Sequence, residues 1–130
     1  MKTCLVVDDS AVIRKVAKRI LEGMKLIVIE AEDGAQAITA CERQIPDVAI
    51  VDAFMTDMDG YEVVRSLRRM PDGGQAKVMI SVVESDVGTI AKVLHAGADT
   101  YLMKPFTSES LREKLEEVGI LEPPAADVAA

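Results

Sequence analysis

The chain is an alternation: five apolar runs of strand length, each followed by a segment whose apolar residues recur at helical spacing. The runs are residues 3–7 (TCLVV), 26–30 (LIVIE), 47–51 (DVAIV), 77–83 (KVMISVV) and 99–103 (DTYLM). Strands that are apolar almost throughout are buried on both faces, and a strand–helix repeat supplies the helices that cover them. This pattern predicts an α/β fold, a doubly wound five-stranded parallel sheet flanked by five helices. Right-handed crossovers leave the flavodoxin-like strand order 2-1-3-4-5 as the leading topology.

Ile13, Val16, Ala17, Ile20, Leu21 and Met24 form the apolar face of the first helix, with Ser10 as N-cap and Gly23 at its end. The second helix runs from about Ala35 to Gln44, presents Ala35, Ile38 and Ile45, and is stopped by Pro46. The third covers Tyr61–Met70 with Val64 and Leu67 inward, followed by a turn at 71–74. Val87, Ile90, Ala91 and Leu94 mark the fourth, capped by Glu84 and Asp86; Leu111, Leu115 and Val118 mark the fifth. Residues 1–121 are expected to form one domain, and the Pro/Ala-rich residues 122–130 a frayed tail.

Composition narrows the function classes. Aromatic residues are 3% with no Trp, so aliphatic residues and Met must build the core. Twenty-two Asp and Glu against 15 Lys and Arg give −7, a poor balance for gripping nucleic acid. No apolar run approaches the roughly 18 residues of a membrane helix, and the N-terminus lacks a signal-peptide pattern. A cytoplasmic, monomeric protein is expected, without an exposed apolar stripe that demands a dimer. Cys4 and Cys41 lack metal or redox spacing and read as small buried hydrophobes.

In a doubly wound sheet, ligands bind beyond the carboxyl ends of the strands, where strand order reverses. The first strand ends in Asp8 and Asp9, the third in Asp52, the fourth in Ser81 and the fifth in Lys104. Three carboxylates at one rim repel each other unless a cation sits among them, and hard oxygen donors suit Mg²⁺ or Mn²⁺. A carboxylate beside such a metal can accept a phosphoryl group, with Lys104 and Ser81 compensating its charge. Asp57 and Asp59 read as turn and capping residues. His95 reads as a surface residue at a helix C-terminus, and Arg65, Arg68 and Arg69 as a solvated stripe.

These strand ends carry a family resemblance, together with the 55–60 loop (MTDMDG) and the 101–106 segment (YLMKPF). Residues 3–118 resemble a response-regulator receiver domain, most closely the stand-alone, chemotaxis-type single-domain members. The resemblance implies that Asp52 accepts a phosphoryl group from a sensor histidine kinase or histidine phosphotransfer protein. It implies that Asp9, Asp52 and the backbone carbonyl of Phe54 hold Mg²⁺ directly, with Asp8 acting through water. It further implies that Lys104 pairs with the phosphoryl group, that Ser81 moves to bond it, and that Tyr101 changes rotamer. The surface near Lys92, His95, Tyr101 and Arg112 would then meet an unidentified downstream protein. Such a chain is a phosphoacceptor signalling module, and not an enzyme beyond self-catalysed phosphorylation and slow autodephosphorylation.

Four positions depart from the family pattern: Thr56 for Pro, Val82 for a small residue, and apolar Phe54 and Val83 where polar residues often guide water. Val82 is expected to narrow access, and Phe54 with Val83 to prolong the phosphorylated state. Within the same class the chain could serve as a relay intermediate or phosphate sink. An Asp-nucleophile phosphatase is the alternative of another class, but it wants Asp-x-Asp after the first strand and a cap insertion. A flavin carrier wants a hydroxyl-rich phosphate loop that three acids would oppose.

Overall fold

The computed structural model describes residues 1–83 and 87–123. Strands β1 (Thr3–Val7), β2 (Ile27–Ala31), β3 (Val48–Asp52), β4 (Lys77–Val82) and β5 (Thr100–Met103) alternate with helices α1 (Ala11–Gly23), α2 (Gly34–Arg43), α3 (Gly60–Arg69), α4 (Val87–His95) and α5 (Ser108–Glu117). The strands form one parallel sheet in the order β2-β1-β3-β4-β5. This is the expected flavodoxin-like arrangement.

The two-residue period of the strands divides the core into two apolar layers. Leu5, Val7, Ala49, Val51, Val78 and Ile80 face α2 and α3. Cys4, Val6, Val48, Ile50, Met79 and Leu102 face α1 and α5. Both cysteines are buried, and burial pushes the thiol of Cys4 up to about 12 and that of Cys41 to about 11. At those values neither is a thiolate at neutral pH.

Local chemistry sets the element ends. Ser10 caps α1 by accepting the Ile13 N–H, Asp59 caps α3 by accepting from Glu62, and Thr107 with Ser110 forms a capping box on α5. At Gly60 a Cβ would meet the Asp52 carbonyl oxygen at 2.7 Å, so glycine lets α3 start directly against the end of β3.

Several expectations are corrected. β2 starts at Ile27 rather than residue 26, because Lys25 takes a left-handed φ of 66° and turns the chain below Leu26. On α2 the buried residues are Gly34, Ala37 and Cys41; Ala35 is exposed. The turn after α3 contains a short 3₁₀ segment, Gly73–Gln75, that the sequence pattern does not announce. On α4, Ile90 is half-buried while Ala91 and Leu94 are exposed, a shallower seat than their spacing suggests. On α1 only Ala17 and Leu21 are fully buried; Val16 and Val12 are 45% and 71% exposed. An exposed apolar stripe therefore exists on α1, contrary to expectation. The expected caps Glu84 and Asp86, and residues 124–130 of the expected tail, lie outside the described residues. Among the described residues no helix is long and apolar enough to cross a membrane.

Candidate functional site

The sheet brings its carboxyl-terminal strand ends to one rim. Asp8 follows β1, Asp52 ends β3 in register with Ser81 of β4, and Lys104 follows β5. Lys104 Nζ lies 3.0 Å from Asp8 Oδ2 and 3.2 Å from Asp52 Oδ1. Asp8, Asp52 and Ser81 are buried, and Asp9 is exposed at the mouth. Each of Asp8, Asp9 and Asp52 offers an oxygen within 4.8 Å of the others.

The backbone around these groups is fixed. Asp8 Oδ1 accepts the Ser10 N–H at 2.9 Å, and the Asp8 carbonyl accepts from Arg14 Nη1 at 2.7 Å. Arg14 also pairs with Glu30 at 3.1 Å, a brace the sequence reading did not find. The Ala53 N–H donates to the Ser81 carbonyl at 2.9 Å, tying the β3 exit to β4. The Phe54 N–H reaches Asp52 Oδ1 at 3.4 Å.

Burial raises the Asp52 carboxyl above its ordinary value, and the nearby Asp8 charge adds to this. Lys104 and the Phe54 amide oppose the shift without cancelling it. Burial pulls the Lys104 ammonium down, but hydrogen bonding to Asp8 and the charges of Asp52 and Asp8 outweigh it, so its net shift is upward. Lys104 is therefore a fixed positive charge. Three carboxylates against one ammonium leave negative charge in excess, and the all-oxygen donor set fits Mg²⁺ or Mn²⁺.

The other expected residues are dispersed around this cluster. Tyr101 is half-buried on β5 with Lys114 Nζ 4.6 Å from its ring centroid. Phe54 and Val83 are 60% and 62% exposed where β3 and β4 run out into loops. Val82, expected to narrow access, is buried in the apolar layer of Ile80 and Ala53. Lys92, His95 and Arg112 are exposed, and Lys92 also reaches Asp59 at 3.5 Å and the Tyr61 ring at 4.8 Å.

Arg68 contradicts the expected solvated stripe. Only Arg65 and Arg69 are exposed; Arg68 donates to the carbonyls of Gly73, Ala76 and Gly97 at 2.6–2.9 Å and to Asp99 at 3.0 Å. Its partners lie up to 31 residues away, so helical spacing could not distinguish it from its neighbours.

Comparison with known proteins agrees with this geometry. The response regulator receiver domain family matches residues 4–116. The chemotaxis protein CheY of Halobacterium salinarum is 31% identical over 117 residues, covering 90% of this chain and 96% of that protein. A probable transcriptional regulator, ycf27 of Guillardia theta, is 33% identical over 88% of this chain and 44% of its own length. The chain spans about half the length of the first such curated relatives. Among solved structures, chemotaxis protein CheY4 of Vibrio cholerae superposes with a TM-score of 0.87 at 30% identity, covering 91% of this chain and 98% of that one. The receiver domain of sensor histidine kinase PA1611 from Pseudomonas aeruginosa, solved with a magnesium ion coordinated in the active site cleft, gives 0.82 at 28% identity, covering 89% and 95%. With strand order, strand-end chemistry and a match over most of its length all in agreement, the chain belongs to the response regulator receiver domain family, a signalling module of two-component systems.

Proposed function

We propose that this domain is a Mg²⁺-dependent phosphoacceptor, with Asp52 taking a phosphoryl group from the phosphohistidine of a sensor histidine kinase or phosphotransfer protein. The observation that carries this reading is the excess of carboxylate at the rim, with Lys104 bridging Asp8 and Asp52. Asp9, Asp52 and the Phe54 carbonyl would hold the ion directly, and Asp8 through water. When bound, Mg²⁺ supplies the charge that offsets a dianionic phosphoryl group among carboxylates.

Asp52 attacks phosphorus with a carboxylate oxygen; a P–O bond forms, the donor's P–N bond breaks, and the histidine nitrogen keeps the electron pair. Lys104 exchanges a carboxylate partner for phosphoryl oxygens, and the Ser81 hydroxyl donates to another. Hydrolysis reverses the state: water attacks phosphorus, the P–O bond to Asp52 breaks, and inorganic phosphate leaves. Ser81 and Tyr101 lie on the adjacent strands β4 and β5, and Ile80 and Tyr101 are register partners. Movement of Ser81 toward the phosphoryl group and a rotamer change at Tyr101 would alter the surface of α4, β5 and α5 for a downstream protein.

Intact-mass analysis after incubation with acetyl phosphate tests this. The expected result is a Mg²⁺-dependent gain of one phosphoryl group, lost in Asp52→Ala. Absence of both the gain and Mg²⁺ binding in the folded wild type would overturn the reading.

A further inference from the structure

The seven-residue connection 53–59 between β3 and α3 carries the Phe54 carbonyl, and it has exposed Thr56 where the family pattern has a stiffening Pro. Its base is closed by the Gly60 N–H donating to the Ala53 carbonyl at 2.9 Å. Its far end is held by a contact to a different part of the chain. Asp57 Oδ1 accepts the Gly34 N–H at 3.0 Å, and Asp57 Oδ2 accepts the Ala35 N–H at 3.0 Å. These are the first two amides of α2, which have no partner within their own helix.

Two details separate this contact from ordinary capping. α2 already has its own N-cap: Asp33 accepts the Gln36 N–H at 2.8 Å, and its carbonyl takes the Ala37 N–H at 3.1 Å. The loop also sits tightly on the helix start, because a Cβ at Gly34 would collide with Cγ and Sδ of Met58. The Gly34 amide, more than any other group, holds the Asp57 carboxyl below the usual aspartate range, with the Ala35 amide assisting, so Asp57 is charged at neutral pH. At the loop's other flank Asp59 caps α3 and reaches Lys92 of α4.

We propose that Asp57 is a positioning residue for the phosphoacceptor site: by gripping the two leading amides of α2 with both carboxylate oxygens, it fixes the loop that presents the Phe54 carbonyl. The tether rests on geometry alone, and its effect on metal binding rests on the function proposed above. Groups that orient a metal ligand without touching the ion commonly matter to affinity almost as much as the ligands. A carboxylate bonded to two amides across the fold takes the place of the missing Pro in limiting loop motion.

The test compares wild type, Asp57→Ala and Asp33→Ala by amide hydrogen exchange at Gly60 without metal and by calorimetric titration with Mg²⁺. Asp57→Ala is expected to speed Gly60 exchange about tenfold and weaken Mg²⁺ binding about tenfold. Asp33→Ala, which frays α2 but keeps the tether, is expected to lower Tm while leaving both readouts within about twofold of wild type. Should Asp57→Ala fail to fold, Asp57→Asn retains one acceptor oxygen and is expected to show an intermediate effect on both. Unchanged Gly60 exchange in the Asp57 variant overturns the tether. Equal loss of Mg²⁺ affinity in the Asp33 variant overturns the positioning role, since helix fraying would then account for it. A folded wild type that binds no Mg²⁺ overturns the proposed function and the metal consequence together, while Gly60 exchange still decides the tether.

Discussion

Lys104 and Arg68 brace opposite ends of the same sheet, and they differ in what each leaves uncompensated. Arg68, near the amino ends of β4 and β5, meets three backbone carbonyls and one carboxylate, Asp99, which also accepts the Val78 N–H at 2.8 Å. Charge is balanced one to one there, and the loops it gathers are held shut. Lys104, at the carboxyl ends, meets two carboxylates with a third in the same cluster. That end carries surplus negative charge, with Asp8 and Asp52 buried and Asp9 exposed. A charge-balanced network, here partly exposed, makes structure; a buried cluster with surplus negative charge suits a cation.

Removing each cation breaks the comparison most directly. Lys104→Met is expected to cost about 3 kcal/mol by leaving buried carboxylates unpaired, and Arg68→Ala about 2 kcal/mol by orphaning carbonyls. Measured against wild type at the same Mg²⁺ concentration, saturating Mg²⁺ in urea unfolding should recover part of the Lys104 loss and leave the Arg68 loss unchanged, since the Arg68 variant gains only what wild type gains. Equal recovery in both would mean that the ion stabilises the chain generally and that the two ends do not differ.

A smaller effect sharpens the same contrast. Asp52→Asn is expected to stabilise the metal-free protein at neutral pH by about 1 kcal/mol, because ionised Asp52 costs stability in its buried setting beside Asp8. A carboxyl raised above its unfolded value binds its proton more tightly in the folded state. The wild type's deficit is therefore full above the raised value and fades as pH falls through it toward the unfolded value. Urea titrations of both proteins across that range read this as a narrowing gap; a gap that widens on acidification would refute it.

The smallest expected effect concerns the two exposed apolar residues at the rim. Phe54→Asn and Val83→Glu should each shorten the lifetime of phosphorylated Asp52 about threefold, well under what a positioned general base supplies. Intact mass followed over time after removal of phosphodonor measures this. An unchanged lifetime in both would show that these side chains do not control water.

The strand ends were legible because two local rules meet there. Apolar runs locate the strands, and doubly wound topology sends their carboxyl ends to one rim, so Asp8, Asp9, Asp52, Ser81 and Lys104 could be named before any coordinates. Asp59 and Ser10 were equally legible as caps, since capping depends on neighbours in sequence. Arg65, Arg68 and Arg69 look alike on a helix, and only a 3₁₀ turn and the α4–β5 loop distinguish Arg68 from the other two. The spacing of Val16 fits the core face of α1, yet the buried residues of that helix are Ala17 and Leu21, and Val16 is 45% exposed. The apolar stripe is wider than the surface available to bury it.

The sequence by itself determined the class of sheet and the chemistry gathered at its carboxyl edge, with 2-1-3-4-5 as the leading strand order, which the structure then fixed. These follow from burial periodicity and chain handedness, which are properties of short segments. Only the tertiary structure decided which acid serves which helix, as when Asp57 reaches back 23 residues to α2 while Asp59 caps its own helix. It alone decided that Arg68 is a clamp and that Lys104 is shared between two carboxylates. Those choices depend on which distant groups arrive within about 3 Å, the range in which a hydrogen bond is made. That proximity is a property of the packed whole.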